Sequence, residues 1–556
     1  MYLTGAQIII ECLKEQGVDV VFGYPGGQII PFYDALYVDG TLRHILTAHE
    51  QGACHAADGY SRSTGKTGVV IATSGPGATN LITGLATAYM DSTPLVAITG
   101  NVPTGLLGRD SFQEVDIVGI SMPITKHNYQ VRDISKLAQT VREAFAVARS
   151  GRPGPVLIDV PKDMQVGKCD YEPSAPIAPA PAPALRGEAL EDALSLIANA
   201  RRPFIYAGGG VVKARASRQL IALAERISSP VACSLMGLGS IPGSHRLFTG
   251  MIGMHGTKAS NMGVMNADLL IVLGARFSDR VIGRAESFAA GAQILHVDID
   301  PAEVNKNIRA HHGIIGDIAQ VLDALLARVE KSEKPEWLAQ IDGWKAEAPA
   351  PYGPTGLRPQ HIIERLSDIA PDTAIVATDV GQHQMWTAQS YRFGASGSFL
   401  TSGGLGTMGF GLGAAIGAKV ANPDRPVILV TGDGSFRMNL NEMTTVARYK
   451  LPVIIVLINN HVLGMVRQWQ TLFFDRHYSQ TNLTEDVNFC KIAESFGIPS
   501  WRVTERGDVD RAVTWALGCG GPALLEFMID SDEKVLPMVA PGDSIDRLIL
   551  SVDGAN

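Results

Sequence analysis

The 556-residue sequence has no long apolar run, no paired cysteines and no basic block, and each absence removes a class of function. Apolar stretches such as 268-DLLIVLG-274 fall far short of the roughly 20 residues that a membrane-spanning helix needs, so no membrane partner is expected. The six cysteines, Cys12, Cys54, Cys169, Cys233, Cys490 and Cys519, are scattered without a C-x-x-C pair. That spacing argues against a zinc site or a disulfide framework and fits a reducing, cytoplasmic setting. Lys and Arg number 47 against 55 Asp and Glu, a formal charge of −8, with no Lys/Arg run, so nucleic acid is not an expected partner. The remainder, 46% hydrophobic and 18% charged, is an ordinary globular composition with little room for extended disorder. The stretch MYLTGAQIIIECLKEQG has no basic start and reads as an amphipathic helix capped near Thr4, not as a signal peptide.

A chain of this length exceeds one hydrophobic core. Two Pro/Ala-rich breaks divide it, 171-YEPSAPIAPAPAPALRG-187 and 347-EAPAPYGPTGLRPQ-360. Neither can continue a sheet or a helix, and each reads as an extended linker. The expected units are residues 1–170, 188–346 and 361–556. Each alternates short β-branched runs with helical stretches. The runs are VVFGYPG, GVVIATSGPG, PLVAITG and PVLIDVP in the first, PFIYAGGG, PVACSL, DLLIVLGAR and QILHVDID in the second, and TAIVATD, PVILVTGDG, PVIIVLINN and PALLEFMI in the third. The pattern predicts an α/β fold of three doubly wound parallel-sheet domains, with ligand crevices at the carboxyl ends of the strands.

Within 403-GGLGTMGFGLG-413, residues Gly404, Gly406 and Gly409 have the G-x-G-x-x-G spacing of a dinucleotide-binding turn. Such a spacing alone is weak evidence, and the next apolar strand, 427-VILVTGDGSF-436, ends in Gly-Asp-Gly instead of the acidic strand end of a dinucleotide fold. A more specific pattern lies downstream: Gly432-Asp433-Gly434, then 24 residues, then Asn459-Asn460. Asp433 and Asn460 should end two parallel strands within reach of one ion. A carboxylate and an amide oxygen form a hard-oxygen set suited to Mg²⁺, and the flanking glycines let backbone N–H groups approach a diphosphate at a helix start.

This combination resembles the diphosphate-binding motif of thiamine diphosphate enzymes. The segments HEQGACHAADGYSRSTGK (49–66), ATSGPGATNL (72–81), GRPGPVLIDVPKD (151–163), GMHG (253–256), GARFSDR (274–280), DVGQHQMW (379–386), TSGGLGTMGFG (401–411) and GMVRQWQ (464–470) narrow the resemblance to the catalytic subunit of the acetohydroxyacid synthase (acetolactate synthase) family. The resemblance implies decarboxylation of pyruvate and condensation of the hydroxyethyl unit with pyruvate or 2-oxobutyrate, a step of branched-chain amino acid biosynthesis. It implies thiamine diphosphate, Mg²⁺ and FAD as cofactors. It also implies a homo-oligomer, at least a dimer, in which Glu50 of one subunit completes the cofactor site of its partner, and possible pairing with a small regulatory subunit.

By position in the family motifs, Glu50 contacts the aminopyrimidine ring, and Met408 is the apolar residue that holds the cofactor bent. Gly381, Gln382, His383, Gly406, Gly432, Gly434 and Ser435 surround the diphosphate, with Mg²⁺ on Asp433, Asn460 and the carbonyl of Val462. Arg280 anchors the acceptor carboxylate, Trp469 contacts its alkyl group, and Gly27, Phe112, Gln113 and Lys162 line the same cavity. FAD is implied at Arg152, Gly208, Gly209, Leu235, Met236, Met254, His255, Gly256, Gly274, Arg276, Asp298, Ile299 and Asp317.

Four positions depart from the family pattern: Ser278 where an aspartate is usual, Gln28 where a small residue is usual, Gly413 in place of proline, and Thr104-Gly105 in place of a basic segment. The rival readings are a catabolic acetolactate synthase without FAD, a pyruvate oxidase-like flavoprotein and a nucleotide-binding oxidoreductase. The last leaves Glu50, Gly-Asp-Gly and Asn-Asn without a purpose.

Overall fold

The computed structural model describes residues 1–347, 356–483 and 487–551. It is built on three six-stranded sheets in which every neighbouring pair of strands is parallel. In chain order the first comprises Val20–Gly23, Arg43–Leu46, Gly68–Ala72, Leu95–Asn101, His127–Gln130 and Pro155–Pro161. Numbered in that order, its strands lie 2-1-3-4-6-5 across the sheet. The third has the same order, built from Ile375–Thr378, Phe399–Leu400, Val427–Gly432, Val453–Asn459, Ser500–Val503 and Ala523–Met528. The middle one, Pro203–Ala207, Val231–Cys233, Phe248–Met251, Leu269–Leu273, Gln293–Asp298 and His312–Ile315, lies 3-2-1-4-5-6, the order of dinucleotide-binding folds.

Every strand in the interior of these sheets corresponds to one of the β-branched runs. The sequence reading omitted His127–Gln130, Phe248–Met251, His312–Ile315, Phe399–Leu400 and Ser500–Val503, and all five are edge strands. An edge strand is paired on one side only and needs no apolar run to exist, so HNYQ or SWRV carries little periodic signal.

Alternate residues of the third sheet serve two different cores. Leu429, Ile455 and Leu457 pack with residues of the first sheet and its helices, whereas Ile428, Val430, Val456 and Ile458 pack into the core shared with the middle sheet. The first and third sheets meet through two helices, Glu50–Thr64 and Phe410–Ala421, at glycine-to-backbone contact. A Cβ added to Gly59 would lie 2.1 Å from the carbonyl of Ala414, and one added to Gly417 would lie 1.8 Å from the carbonyl of Ala56. Gly413, the departure from proline, belongs to this seam: its Cβ would lie 2.7 Å from that of His55.

Residues Tyr171–Arg186 have no helix or strand, and the next helix starts at Gly187. Most of the second proposed linker lies outside the described residues, and the helix after it starts at Pro359, inside the expected break. Among the described residues no helix is long and apolar enough to cross a membrane. All six cysteines are free.

Candidate active site

One cavity of about 2010 Å³ runs from the carboxyl ends of the third sheet to those of the middle sheet. At its inner end the strand Val427–Gly432 delivers Asp433 to the start of a helix, and the strand Val453–Asn459 delivers Asn460 beside it, as the registered pair Gly432 and Ile458 requires. Asp433 is 2% exposed, and its Oδ2 has no hydrogen-bond partner. Burial pushes its carboxyl up to about 7, against the backbone N–H groups of Gly434 and Asn460 that favour the anion. A buried carboxylate oxygen without a donor is the feature that a cation relieves.

Asn460 is oriented by its neighbours. Its amide donates to Oε1 of Gln382 at 3.1 Å, which leaves its oxygen toward Val462 N at 3.3 Å. Gln382 in turn donates to Gln468 Oε1 at 3.0 Å and to the Glu533 carbonyl at 2.8 Å. Gly464 makes room for this packing, since its Cβ would fall 1.9 Å from Gln382 Oε1. Among the described residues no three His, Cys, Asp or Glu side chains gather, so a cation here depends on Asp433 plus amide and carbonyl oxygens.

Carboxylates hold the glycine turn. Asp379 Oδ1 accepts the N–H of Gly409 at 2.8 Å and of Gly411 at 3.0 Å, capping the Phe410–Ala421 helix, whose N-cap Gly409 has φ 87°. Asp91, from the first sheet's side, accepts from Gly403 at 3.1 Å and Gly404 at 2.7 Å. Asp91 and Asp58 both pair with the buried Arg62, which also donates to the Thr401 carbonyl at 2.7 Å. The clamped turn sets Met408 on the cavity wall with Asp433, Gly434, Ser435, Gly381, Gln382, His383 and Gly406. A Cβ on Gly434 would lie 3.9 Å from Met408 Cε. His383 is buried, and its imidazole is pushed down to about 3 by that burial, so it is neutral.

The middle sheet forms the other wall. Its strand order reverses between Pro203–Ala207 and Leu269–Leu273, and there Gly208, Gly210 and Gly274 touch through backbone: Gly274 has φ 58°, and its Cβ would lie 2.6 Å from Gly210 Cα. Arg152, Gly209, Leu235, Met236, Met254, His255, Gly274, Arg276, Asp298, Ile299 and Asp317 line the cavity, whereas Gly208 and Gly256 stand behind it. Asp298 ends its strand with its carboxyl pushed up to about 6 by burial. His255 Nδ1 is buried without a partner. Not all of these side chains are free: Arg152 pairs with Glu303 at 2.8 Å, and Asp317 caps the Ile318–Leu326 helix through Gln320 N at 3.1 Å. Where the two walls face each other, the Arg280 guanidinium lies 5.5 Å over the ring of Trp469.

Glu50, Gly27, Gln113 and Lys162 do not line this cavity. They collect at the carboxyl edge of the first sheet, around the segment after Gly68–Ala72. Glu50 opens its helix and accepts from Asn80 Nδ2 at 2.9 Å, with Oε1 3.1 Å from the position of a Cβ on Gly77. The Gln113 carbonyl lies 2.8 Å from the corresponding point on Gly75, and Lys162 Nζ donates to the Gly27 carbonyl at 3.2 Å. Tyr24, Ile30, Leu106 and Phe112 surround this cluster in the chain and are exposed, Phe112 at 84%.

Comparison with known proteins fits both halves. Sequence models of the thiamine pyrophosphate enzyme N-terminal TPP-binding, central and C-terminal TPP-binding domains match residues 3–120, 190–325 and 379–527. The chain is 48% identical to the acetolactate synthase isozyme 2 large subunit of Escherichia coli, over 98% of the chain and 99% of that protein. It is 47% identical to a probable acetolactate synthase large subunit of Methanocaldococcus jannaschii, over 98% and 95%. The chain belongs to the acetolactate synthase large-subunit family. Against that family the structure adds groups that the sequence reading did not single out: Asn80 on Glu50, Asp379 and Asp91 on the glycine turn, Gln468 behind Gln382, and Glu442, which reaches the backbone before Glu50. Asp379, Asn80 and Gln468 stand inside the quoted motifs, but only the fold reveals what they touch. Of the departures, Ser278 takes the N-cap position of the short helix Asp279–Ile282 without a side-chain cap bond, and Gln28 donates its backbone N–H to Thr73 at 3.2 Å.

Proposed function

We propose that this protein is an acetolactate synthase that decarboxylates pyruvate and joins the two-carbon unit to a second 2-keto acid, giving 2-acetolactate from pyruvate or 2-aceto-2-hydroxybutyrate from 2-oxobutyrate. The observation that carries the reading is the unpartnered, buried Asp433 Oδ2 beside Asn460 and Met408 in a chain of this family. That donor set fits Mg²⁺, which Asp433, the Asn460 oxygen and the Val462 carbonyl would hold, while Gly381, Gln382, His383, Gly406, Gly432, Gly434 and Ser435 would surround a diphosphate. Thiamine diphosphate supplies the carbanion chemistry when bound; the chain's residues bind, orient and move protons.

In this reading Glu50, fixed by Asn80, would hold a proton at its carboxyl for the aminopyrimidine ring, and Met408 would support the cofactor from the cavity wall. Arg280 binds the acceptor carboxylate with two parallel hydrogen bonds, and its stacking on Trp469 sets carboxylate and alkyl recognition side by side. Discrimination between an ethyl and a methyl acceptor there is worth about 1–3 kcal/mol. Gly27, Phe112, Gln113 and Lys162 act from the Glu50 side. Because that side is absent from the Asp433 cavity, the complete site is formed between two copies of the chain, so the protein works as at least a homodimer; a small regulatory subunit is a further partner.

The middle wall fits FAD. The Gly208–Gly210 turn against Gly274 leaves backbone open to a phosphate, Asp298 stands at a strand end suited to a ribose hydroxyl, and His255 Nδ1 lacks a partner. Arg152, Leu235, Met236, Met254, Gly256, Arg276, Ile299 and Asp317 complete the proposed contacts. The test is acetolactate formation from pyruvate and Mg²⁺ with and without thiamine diphosphate, repeated after flavin removal. Thiamine-dependent product that vanishes with the flavin is expected. Product persisting in flavin-free protein would favour the catabolic class, and no product at all would reject the reaction.

A further inference from the structure

The loop that carries Glu50 is held by the third sheet's segment. Glu442 is fully buried, and its carboxylate accepts the backbone N–H of His49 at 3.0 Å and of Ala48 at 3.1 Å. Thr445 Oγ1 donates at 2.6 Å to Oε2, the oxygen that takes the Ala48 N–H, while Oε1 takes that of His49. Every partner is a donor, so the group acts purely as an acceptor; burial pushes its carboxyl up, and these donors oppose the shift. The fit is tight, because a Cβ on Gly52 would lie 2.1 Å from Glu442 Oε1. A second tie from the same segment flanks the first: Tyr449 Oη accepts the N–H of Leu46 at 2.8 Å.

The place of Glu442 in the chain gives the contact its meaning. The helix Asp433–Asn439 begins at the proposed cation ligand and continues as the 3-10 turn Leu440–Glu442. One short segment therefore holds Asp433 at its start and the backbone immediately before Glu50 at its end. Ala48 and His49 precede the first turn of the Glu50–Thr64 helix, where their N–H groups have no intrahelical acceptor. Without Glu442 they would take water, and the first residue of that helix would lose its fixed approach.

We propose that Glu442 is a positioning residue for Glu50 of the same chain, setting the Ala48–His49 backbone so that the Glu50 carboxylate meets its target at one distance. The proposal rests on the reading of Glu50 as the group that serves the aminopyrimidine. It assigns no contact between Glu442 and substrate or cofactor. Since Glu50 is proposed to serve the partner's site while Asp433 serves its own, the Asp433–Glu442 segment ties one site's cation ligand to the other site's acid.

The test uses the full-length protein with E442Q, which keeps size and one acceptor oxygen, and E442D, which keeps charge but withdraws it by one methylene. Backbone hydrogen exchange over residues 44–50 is measured without cofactor, and exchange of the thiamine C2 proton with cofactor bound, alongside thiamine diphosphate affinity. Faster amide exchange and a roughly 10- to 100-fold slower C2–H exchange are expected in E442D, the range typical of groups that orient a functional ligand. E442Q should stay close to the parent in both, and cofactor affinity should be unchanged. Parent-like C2–H exchange in E442D, with E50Q slow in the same assay, overturns the role of Glu442. If E50Q itself exchanges at the parent rate, the reading of Glu50 fails first and the inference falls with it.

Discussion

The first and third sheets share the strand order 2-1-3-4-6-5, and each opens a crevice between its strands 1 and 3. In the third, those strands end in Asp379-Val380-Gly381 and in Asp433; Val380, Gly381 and Asp433 line the cavity, and one Asp433 carboxylate oxygen is unpartnered. In the first, the same ends carry Tyr24–Gly27 and Thr73–Gly77, beside Glu50 and among exposed Tyr24, Ile30 and Phe112. Equal topology thus places the two crevices but not their chemistry. One edge turns a buried, unpartnered carboxylate oxygen into the cavity. The other presents an acid already fixed by an amide and surrounded by surface that remains uncovered in a single chain.

The largest effect that separates the two edges comes from mixing subunits. Asp433→Asn should lower cation affinity by more than the roughly 10- to 100-fold typical of a residue that merely supports a ligand. Glu50→Gln should abolish turnover with cation binding intact. If the edges serve one another across a dimer, co-expressed E50Q and D433N chains regain activity, because one site of each mixed dimer combines an intact Glu50 with an intact Asp433. If both residues serve the same chain, every mixed dimer stays inactive, and turnover of the purified heterodimer decides between the two.

The same contrast explains what was legible before the structure. Interior strands announced themselves as β-branched runs, and Asp433 and Asn460 could be placed at neighbouring strand ends because the run before each ends in a short polar motif. Glu50 could be named but not its company: Asn80, Glu442 and Tyr449 lie 30, 392 and 399 residues away in sequence and meet it or its loop only through tertiary packing. The glycine turn shows the limit most clearly. Its spacing is a local property, whereas its partners arrive from elsewhere: Asp379 follows a strand of the third sheet, and Asp91 ends the helix Ile82–Met90 beside the first. Edge strands failed for the converse reason, since their pairing rests on a neighbour and leaves little pattern of their own.

A smaller effect is expected where the two sheets are joined by charge. Arg62 is 6% exposed at its side chain and stands between Asp58 and Asp91, both fully buried. Arg62→Met keeps most of the volume and leaves two carboxylates buried without their cation, so a loss of about 3–5 kcal/mol is expected. Urea unfolding of the apo protein measures it. Because Asp91 also holds Gly403 and Gly404, the variant should loosen the turn that carries Met408, seen as faster exchange of those amides. An unchanged midpoint would mean that the joint carries no stability.

The smallest effect tests the uncharged part of the same seam. Glycine inside a helix costs about 1 kcal/mol relative to alanine, so Gly→Ala is favourable wherever a Cβ finds space. Gly343, in the helix Pro335–Ala346, has nothing within 4 Å of that point, and Gly343→Ala should stabilise the protein by about 0.5–1 kcal/mol. At Gly417 the new methyl would stand 1.8 Å from a backbone carbonyl of the opposing helix, an atom that cannot turn away. Overpacking of this kind costs about 1–3 kcal/mol, which exceeds the propensity gain and reverses the sign. The two substitutions should therefore move the urea midpoint in opposite directions. A stabilising shift in both would show that the Glu50 and Phe410 helices can separate without loss.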